Sequence, residues 1–271
     1  MRKNPTTAFI TGGASGIGYA MAEIFLKRSV KVAVFDLNIS DEVKSKLSQL
    51  AKTNHTKLTF HQIDVTDAVG LNNAIQSAAG EIGSPEFALN CAGMQHTNKF
   101  MDMQPGEFER VIKVNLFGSK NFAAGILPLM QTGGHLAFIA SLAGLVPNYT
   151  YSSYSASKYA VVGLASVLRI EQKERGIDVS VICPPEILTP MVEKELLNMH
   201  PITKELKAFA DTIPLDDACA YIFKQLKKSK FIIIPGFKAR VVWYLSRLIP
   251  GVLYRDVDKV VKRHDNNSGI N

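Results

Sequence analysis

The sequence predicts a doubly wound α/β fold: a mostly parallel seven-stranded sheet with helices on both faces. Three observations carry this. Short apolar or β-branched runs alternate with helix-length segments along the chain. Several runs are continuously apolar, as strands buried on both faces are. The first run leads straight into a glycine-rich turn followed by a helix-like segment.

In chain order the strand candidates are 6–11 (TTAFIT), 31–36 (KVAVFD), 57–64 (KLTFHQID), 86–90 (EFALN), 135–141 (HLAFIAS), 178–183 (DVSVIC) and 230–235 (KFIIIP). The segments 16–28, 41–52, 67–80, 105–130 and 154–175 are long enough for crossover helices. With no repeat, low-complexity stretch or linker in view, residues 1–236 read as one domain and 237–271 as a basic amphipathic C-terminal extension. The stretch 188–213 reads as one or two short lid helices.

Composition narrows the classes. The three cysteines (Cys91, Cys183, Cys219) are widely spaced in apolar surroundings, which suits reduced core thiols and a cytoplasmic protein. The six histidines show no ligand spacing, so no metal is expected. There is no apolar stretch of about 18 residues and no apolar signal region, so a spanning helix or secretory leader is not expected. The net charge of +7 is uneven: residues 1–220 carry 20 Lys/Arg against 21 Asp/Glu, and residues 221–271 carry 11 against 3.

In a doubly wound sheet, ligands bind beyond the carboxyl ends of the strands. The first strand ends in Thr11-Gly12-Gly13-Ala14-Ser15-Gly16-Ile17-Gly18. Glycines there permit a tight turn and the close approach of a pyrophosphate, and the next helix offers free N–H groups and the positive end of its dipole. Asp36 ends the second strand, with Leu37 and Asn38 after it and no adjacent cation. A carboxylate so placed accepts bonds from ribose hydroxyls and repels a 2′-phosphate, which favours NAD over NADP. Asp36 could also be a turn or N-cap residue.

Tyr154 and Lys158 are four apart in YSASKYAVVGLASVLRIE and share a helix face. A tyrosine hydroxyl titrates near 10, and a neighbouring ammonium favours its phenolate, making a base that can take an alcohol proton as hydride leaves. Ser141, at the end of the fifth strand, can hydrogen-bond a substrate oxygen.

The spacing Gly12-x3-Gly16-x-Gly18 resembles the turn of the short-chain dehydrogenase/reductase family, and further motifs follow in that family's order. Asp64-Val65 resembles its pair at the adenine, Asn90-Cys91-Ala92-Gly93 its N-[NS]-A-G motif with cysteine as a departure, and Asn115 its helix asparagine. Ser141 and Tyr154-x3-Lys158 complete the set at the usual spacing of thirteen residues. The resemblance implies a Rossmann-type fold, catalysis by Asn115, Ser141, Tyr154 and Lys158, and cofactor contacts from Gly12, Ser15, Gly16, Ile17, Gly18, Asp36, Leu37, Asp64, Val65, Asn90, Ala92, Gly93, Tyr154 and Lys158. It also implies a second role for Lys158 at the nicotinamide ribose and a water held by Asn115. Pro184, Ile187 and Thr189 resemble the P-G-x3-T segment that wraps the nicotinamide. Pro185 stands where that segment has glycine, and Glu186 adds a charge, so the path of this loop is open.

Met94, Leu142, Leu145, Val146, Tyr149, Tyr151, Leu188 and Met191, with Glu186 and His96 as the few charges, suggest a pocket for an apolar or amphipathic secondary alcohol or ketone (a lipid, steroid or acyl-type compound). The segment from Lys238, with Arg240, Trp243, Tyr244, Leu245, Arg247, Leu248 and Ile249, suits an interfacial helix stopped by Pro250-Gly251. A peripheral membrane contact through 238–263 and docking on protein are both open, and nucleic acid is not expected. The family's pairing of helices 105–130 and 154–175 implies a homodimer or homotetramer. The alternative to an enzyme is a membrane-associated NAD-binding sensor or scaffold with little turnover.

Overall fold

A computed structural model describes residues 4–189, 192 and 199–268. Its main sheet holds seven parallel strands in the order β3-β2-β1-β4-β5-β6-β9, where β1 is Thr7–Thr11, β2 Lys31–Asp36, β3 Leu58–Gln62, β4 Phe87–Asn90, β5 His135–Ile139, β6 Asp178–Ile182 and β9 Ile232–Ile233. The winding reverses between β1 and β4, the point beyond whose carboxyl ends such sheets form a crevice.

Alternate side chains along each strand serve two cores. Phe9 and Phe35 face Leu71 and Ile75 of α3 (Ala68–Ile82), Phe122 and Ile126 of α5 (Gly118–Ile126), and Val161 and Ala165 of α6 (Ser152–Glu171). Ile10 and Val34 face Met21 and Phe25 of α1 (Gly16–Leu26), Leu47 of α2 (Asp41–Thr53), and Ile222 of α8 (Leu215–Leu226). Phe25 is fully buried against Phe87 and Phe223, so its truncation to alanine costs about 3–5 kcal/mol. The crossovers start where side chains cap them: Ser40 Oγ accepts the Val43 N–H of α2, and Asp67 Oδ1 accepts the Gly70 N–H of α3.

The expected sheet is present, with four local differences. The helix expected over 105–130 is broken into α4 (Glu107–Ile112), a π-helical turn (Lys113–Phe117), α5 and a short 3-10 turn (Leu127–Leu129). The fifth strand ends at Ile139, which leaves Ser141 on the loop beyond it. Within 230–235 only Ile232–Ile233 pairs with β6. Pro250 does end α9 (Phe237–Leu248) near its expected stop, but it also opens a further helix, α10 (Pro250–Ser268). Proline suits a first helical turn because the N–H it lacks would have no intrahelical partner there.

The lid region contains α7 (Pro201–Lys207) and a two-stranded parallel ladder of β7 (Glu186–Ile187) with β8 (Thr212–Ile213). Residues 190–191 and 193–198, Met191 included, lie outside the described residues. The C-terminal helices fold back onto the lid: Glu205 of α7 bonds Arg263 at 3.0 Å and His264 at 2.9 Å, and Ala239, Leu253 and Val260 are buried.

Candidate active site

The crevice opens into a cavity of about 400 Å³ that runs from Asp36 to Tyr154. Gly12, Ser15, Gly16, Ile17, Asp36, Leu37, Asp64, Val65, Ala92, Gly93, Ser141, Tyr154, Lys158, Pro184, Ile187 and Thr189 all line it. Gly18, Asn90 and Asn115 stand behind its wall.

The glycine turn shows why those positions lack side chains. Gly12 has φ +63°, and a Cβ there would meet the Ala92 nitrogen at 2.7 Å; at Gly18 it would meet the Gly12 carbonyl oxygen at 2.1 Å. Gly16 has φ +51°, and a Cβ there would touch the Thr189 side chain at 3.5 Å. Ser15 precedes α1 without a side-chain cap, so the helix presents amide donors to the cavity. Asp36 Oδ2 accepts the Ala14 N–H at 3.0 Å, which turns the carboxylate toward the turn and the cavity. Asp64 Oδ1 accepts the Thr66 N–H at 2.8 Å. The departure at Cys91 is absorbed by packing: its thiol accepts the Gly18 N–H, and burial pushes it up to about 12.

Behind the wall a buried polar network joins four elements. Thr11 Oγ1 donates to Asn90 Oδ1 at 3.2 Å, Asn90 Nδ2 donates to Ser119 Oγ at 2.7 Å, and Ser119 Oγ donates to the Asn115 carbonyl at 2.5 Å. Asn115 sits in the π-helical turn, a device that commonly re-aims a side chain at a functional site. Its amide donates to the Met94 carbonyl and to Ser157 Oγ, both at 2.9 Å, and its Oδ1 accepts the Met94 N–H at 2.8 Å. A Cβ on Gly93 would sit 3.1 Å from Asn115 Oδ1 and 3.4 Å from Lys158 Nζ, so glycine is what lets those two groups flank one point. With its members satisfied, such a network fixes position.

Lys158 is buried and donates to the Ile139 carbonyl at 3.0 Å, with Nζ 5.6 Å from the Tyr154 ring centroid. Burial pulls its ammonium down to about 8. Tyr154 is in the first turn of α6, with its ring edge-on to Tyr151 at 5.6 Å. Ser141 Oγ accepts the Ala143 N–H at 3.1 Å, which leaves its own proton to donate into the cavity.

The open question of the Pro185-Glu186 loop has a simple outcome. Pro184 accepts the Leu142 N–H at 2.7 Å, and the next residues run extended as β7, a path that suits proline's fixed φ and requires no left-handed residue. Glu186 pairs with Lys207 of α7 and accepts the Thr212 hydroxyl at 2.8 Å.

Some expected pocket residues lie elsewhere. Leu145 is in the core, Tyr149 packs on His200, Leu188 is exposed, and His96 pairs with Glu107 at 2.9 Å. Conversely, Gln95 and Lys207 line the cavity without having been singled out. Gln95 Nε2 donates to the Tyr151 hydroxyl at 2.8 Å, and its place beside Gly93 was the available signal. Lys207 had none, because only the return of α7 brings it to Glu186.

The family model described as "short chain dehydrogenase" matches residues 6–199. This chain belongs to that family. It is 32% identical to a D-beta-hydroxybutyrate dehydrogenase of Rhizobium meliloti over 70% of this chain and 74% of that one. It is 30% identical to a 3-ketodihydrosphingosine reductase of Bos taurus over 69% of this chain and 58% of that one. Among solved structures, a short chain dehydrogenase from Mycobacterium paratuberculosis bound to NAD superposes with a TM-score of 0.78 at 20% identity, covering 88% of this chain and 99% of that one. One from Burkholderia cenocepacia in complex with NADP gives 0.74 at 22%, covering 87% and 98%. At such identities these two show the fold.

Proposed function

We propose that this member of the family is an NAD-dependent oxidoreductase that interconverts a hydrophobic secondary alcohol and its ketone. The observation that carries the reading is one cavity lined by the glycine turn, Asp36, Ser141, Tyr154 and Lys158. The named relatives act on a hydroxy acid and on a keto sphingoid base, which suits carbinol–ketone chemistry.

The residues fit a dinucleotide. The uncapped α1 N-terminus, with Ser15, Gly16 and Ile17 lining the cavity, would hold the pyrophosphate. Asp36 would accept the adenosine ribose hydroxyls, Leu37, Asp64 and Val65 would border the adenine, and Lys158 would bond the nicotinamide ribose. A bound nicotinamide supplies hydride acceptance or donation. Tyr154 holds the carbinol proton: in oxidation its phenolate takes it, and in reduction its phenol returns it. Lys158, charged below about pH 8, favours the phenolate. Ser141 donates to the substrate oxygen as charge develops, while Asn115 positions the Met94 segment and Ser157 on α6. With Ser141, Tyr154 and Lys158 all present, an enzyme is favoured over a sensor or scaffold.

The outer face of α9 supports a peripheral membrane contact. Phe237, Val241, Tyr244 and Leu248 are exposed and fall on one helical stripe, followed by Ile249 and Val252, with Lys238, Arg247 and Arg255 nearby. Trp243 packs inward against the core instead. Among the described residues no helix is long and apolar enough to cross a membrane. Phe117, Tyr159, Val167 and Ile170 are exposed on the π-helical turn and α6, which suits self-association through those helices.

The deciding experiment is a cofactor-reduction screen over hydrophobic secondary alcohols with NAD and NADP. NADH formation should fall by at least 10²-fold in Tyr154→Phe, the scale of lost proton transfer. Turnover unchanged by that substitution refutes the catalytic assignment. Asp36→Ala should weaken NAD binding and relax discrimination against NADP, and tighter binding of NADP by the unaltered protein refutes the preference.

A further inference from the structure

We propose that the substrate carries an aliphatic arm that lies between the lid and the C-terminal helices, with Val242, Leu253 and Val257 setting its length. This rests on the alcohol–ketone reading above and says which alcohols that site accepts. A second cavity of about 90 Å³ adjoins the first. Ser141, Tyr151, Pro185, Glu186 and Lys207 line both, so the two spaces meet beside the point where a carbinol oxygen would sit.

Past that neck the walls are mainly aliphatic and aromatic: Val146 on one side, Leu206 and Phe209 of the lid on another, and Val242, Leu253 and Val257 of α9 and α10 closing the end. Glu186 and Lys207, the charged side chains among its described lining residues, pair at the neck. Ordered water needs two to four polar partners, and an apolar hole of this kind takes hydrocarbon instead. Val146, Leu206, Phe209, Val242 and Val257 are only half-buried, so they retain apolar surface for an occupant to cover. A cavity of about 150 Å³ holds the six carbons of benzene, so this one holds roughly three or four. The C-terminal helices therefore form part of the substrate site, held to the lid by the Glu205 contacts with Arg263 and His264.

The test uses the full chain, its single tryptophan, Trp243, standing next to Val242. Binding of 2-alkanols with four to ten carbons is followed by Trp243 emission and by calorimetry, with and without NADH. Affinity should rise about fourfold per methylene, the factor for burying one CH₂, and flatten once the arm beyond the carbinol reaches about four carbons. Val257→Phe should move that break one or two carbons shorter, and Leu253→Ala should move it longer. Circular dichroism and NADH affinity identify any variant that has failed to fold. No saturable alkanol binding, or an unchanged break in both folded variants, overturns the proposal. Failure of the oxidoreductase reading would show separately, as absent Tyr154-dependent NADH formation alongside an intact binding series.

Discussion

Glu186 and Lys207 form an ion pair, largely shielded from solvent, that ties the segment after β6 to the lid helix α7. Lys207 Nζ also lies 5.6 Å from the Tyr151 ring centroid, so the pair is anchored over the cavity it helps to line. Glu186, the charge that follows the family-departing Pro185, thus joins this loop to α7.

Glu186→Gln should remove the carboxylate charge that faces Lys207 at a mostly buried site, weakening the hold of this loop on α7 by about 1–3 kcal/mol. NADH affinity, read by fluorescence titration, should fall about tenfold, with KM rising more than kcat falls. Unchanged affinity and KM would show that the pair does not hold this loop to α7.

Lys158 should be visible in the pH profile. Burial lowers its own titration to about 8, and its charge below that point favours the Tyr154 phenolate. Alcohol oxidation should therefore rise with pH through an apparent value well below the phenol's ordinary 10, one that belongs to the coupled pair. In Lys158→Met the rise should move up toward 10 and the plateau should fall by at least 10²-fold. The same midpoint in both proteins would remove Lys158 from that role.

His135 should make stability acid-sensitive. It is fully buried in β5, its Nε2 lies 2.8 Å from Ser180 Oγ, and burial holds it down to about 3. The unfolded chain takes up this proton below about pH 6.5 and the folded chain does not, so stability is lost as pH falls from about 6.5 toward 3. Between pH 7 and 5.5 the loss is about 1 kcal/mol, or roughly 2–4 °C in Tm for a chain of this size. Calorimetry of His135→Gln should show a lower Tm overall and a smaller drop over that interval; an equal drop would assign the effect to other groups.

The exposed stripe on α9 should carry membrane association. Sedimentation with vesicles containing an anionic phospholipid should capture the protein, less so at high salt, and Tyr244→Ser combined with Leu248→Glu should reduce capture at least tenfold. Absence of capture, or capture indifferent to these substitutions, would leave the stripe to a protein partner.

Much of this is legible in the sequence, and the reason is local. The alternation of apolar strands with helical segments follows from side-chain periodicity, and the order of the motifs from Gly12 to Lys158 needs only sequence spacing. The break at Asn115 was not legible, because a π-helical turn is selected by what the side chain meets, here the Met94 backbone and Ser157. Residues expected in the pocket from loop position alone, such as Leu145 and Tyr149, went to the core and to His200.

The sequence by itself determined the sheet, the glycine turn and the Tyr154–Lys158 pair, since each rests on residues close together in the chain. Only the tertiary structure decided that Glu186 would find Lys207, that Gly93 would admit Asn115 and Lys158 to the same point, and that the basic extension would wall the cavity beside Ser141 and Tyr151. These contacts join residues far apart along the chain, and they depend on how the packed layers bring loop and helix together.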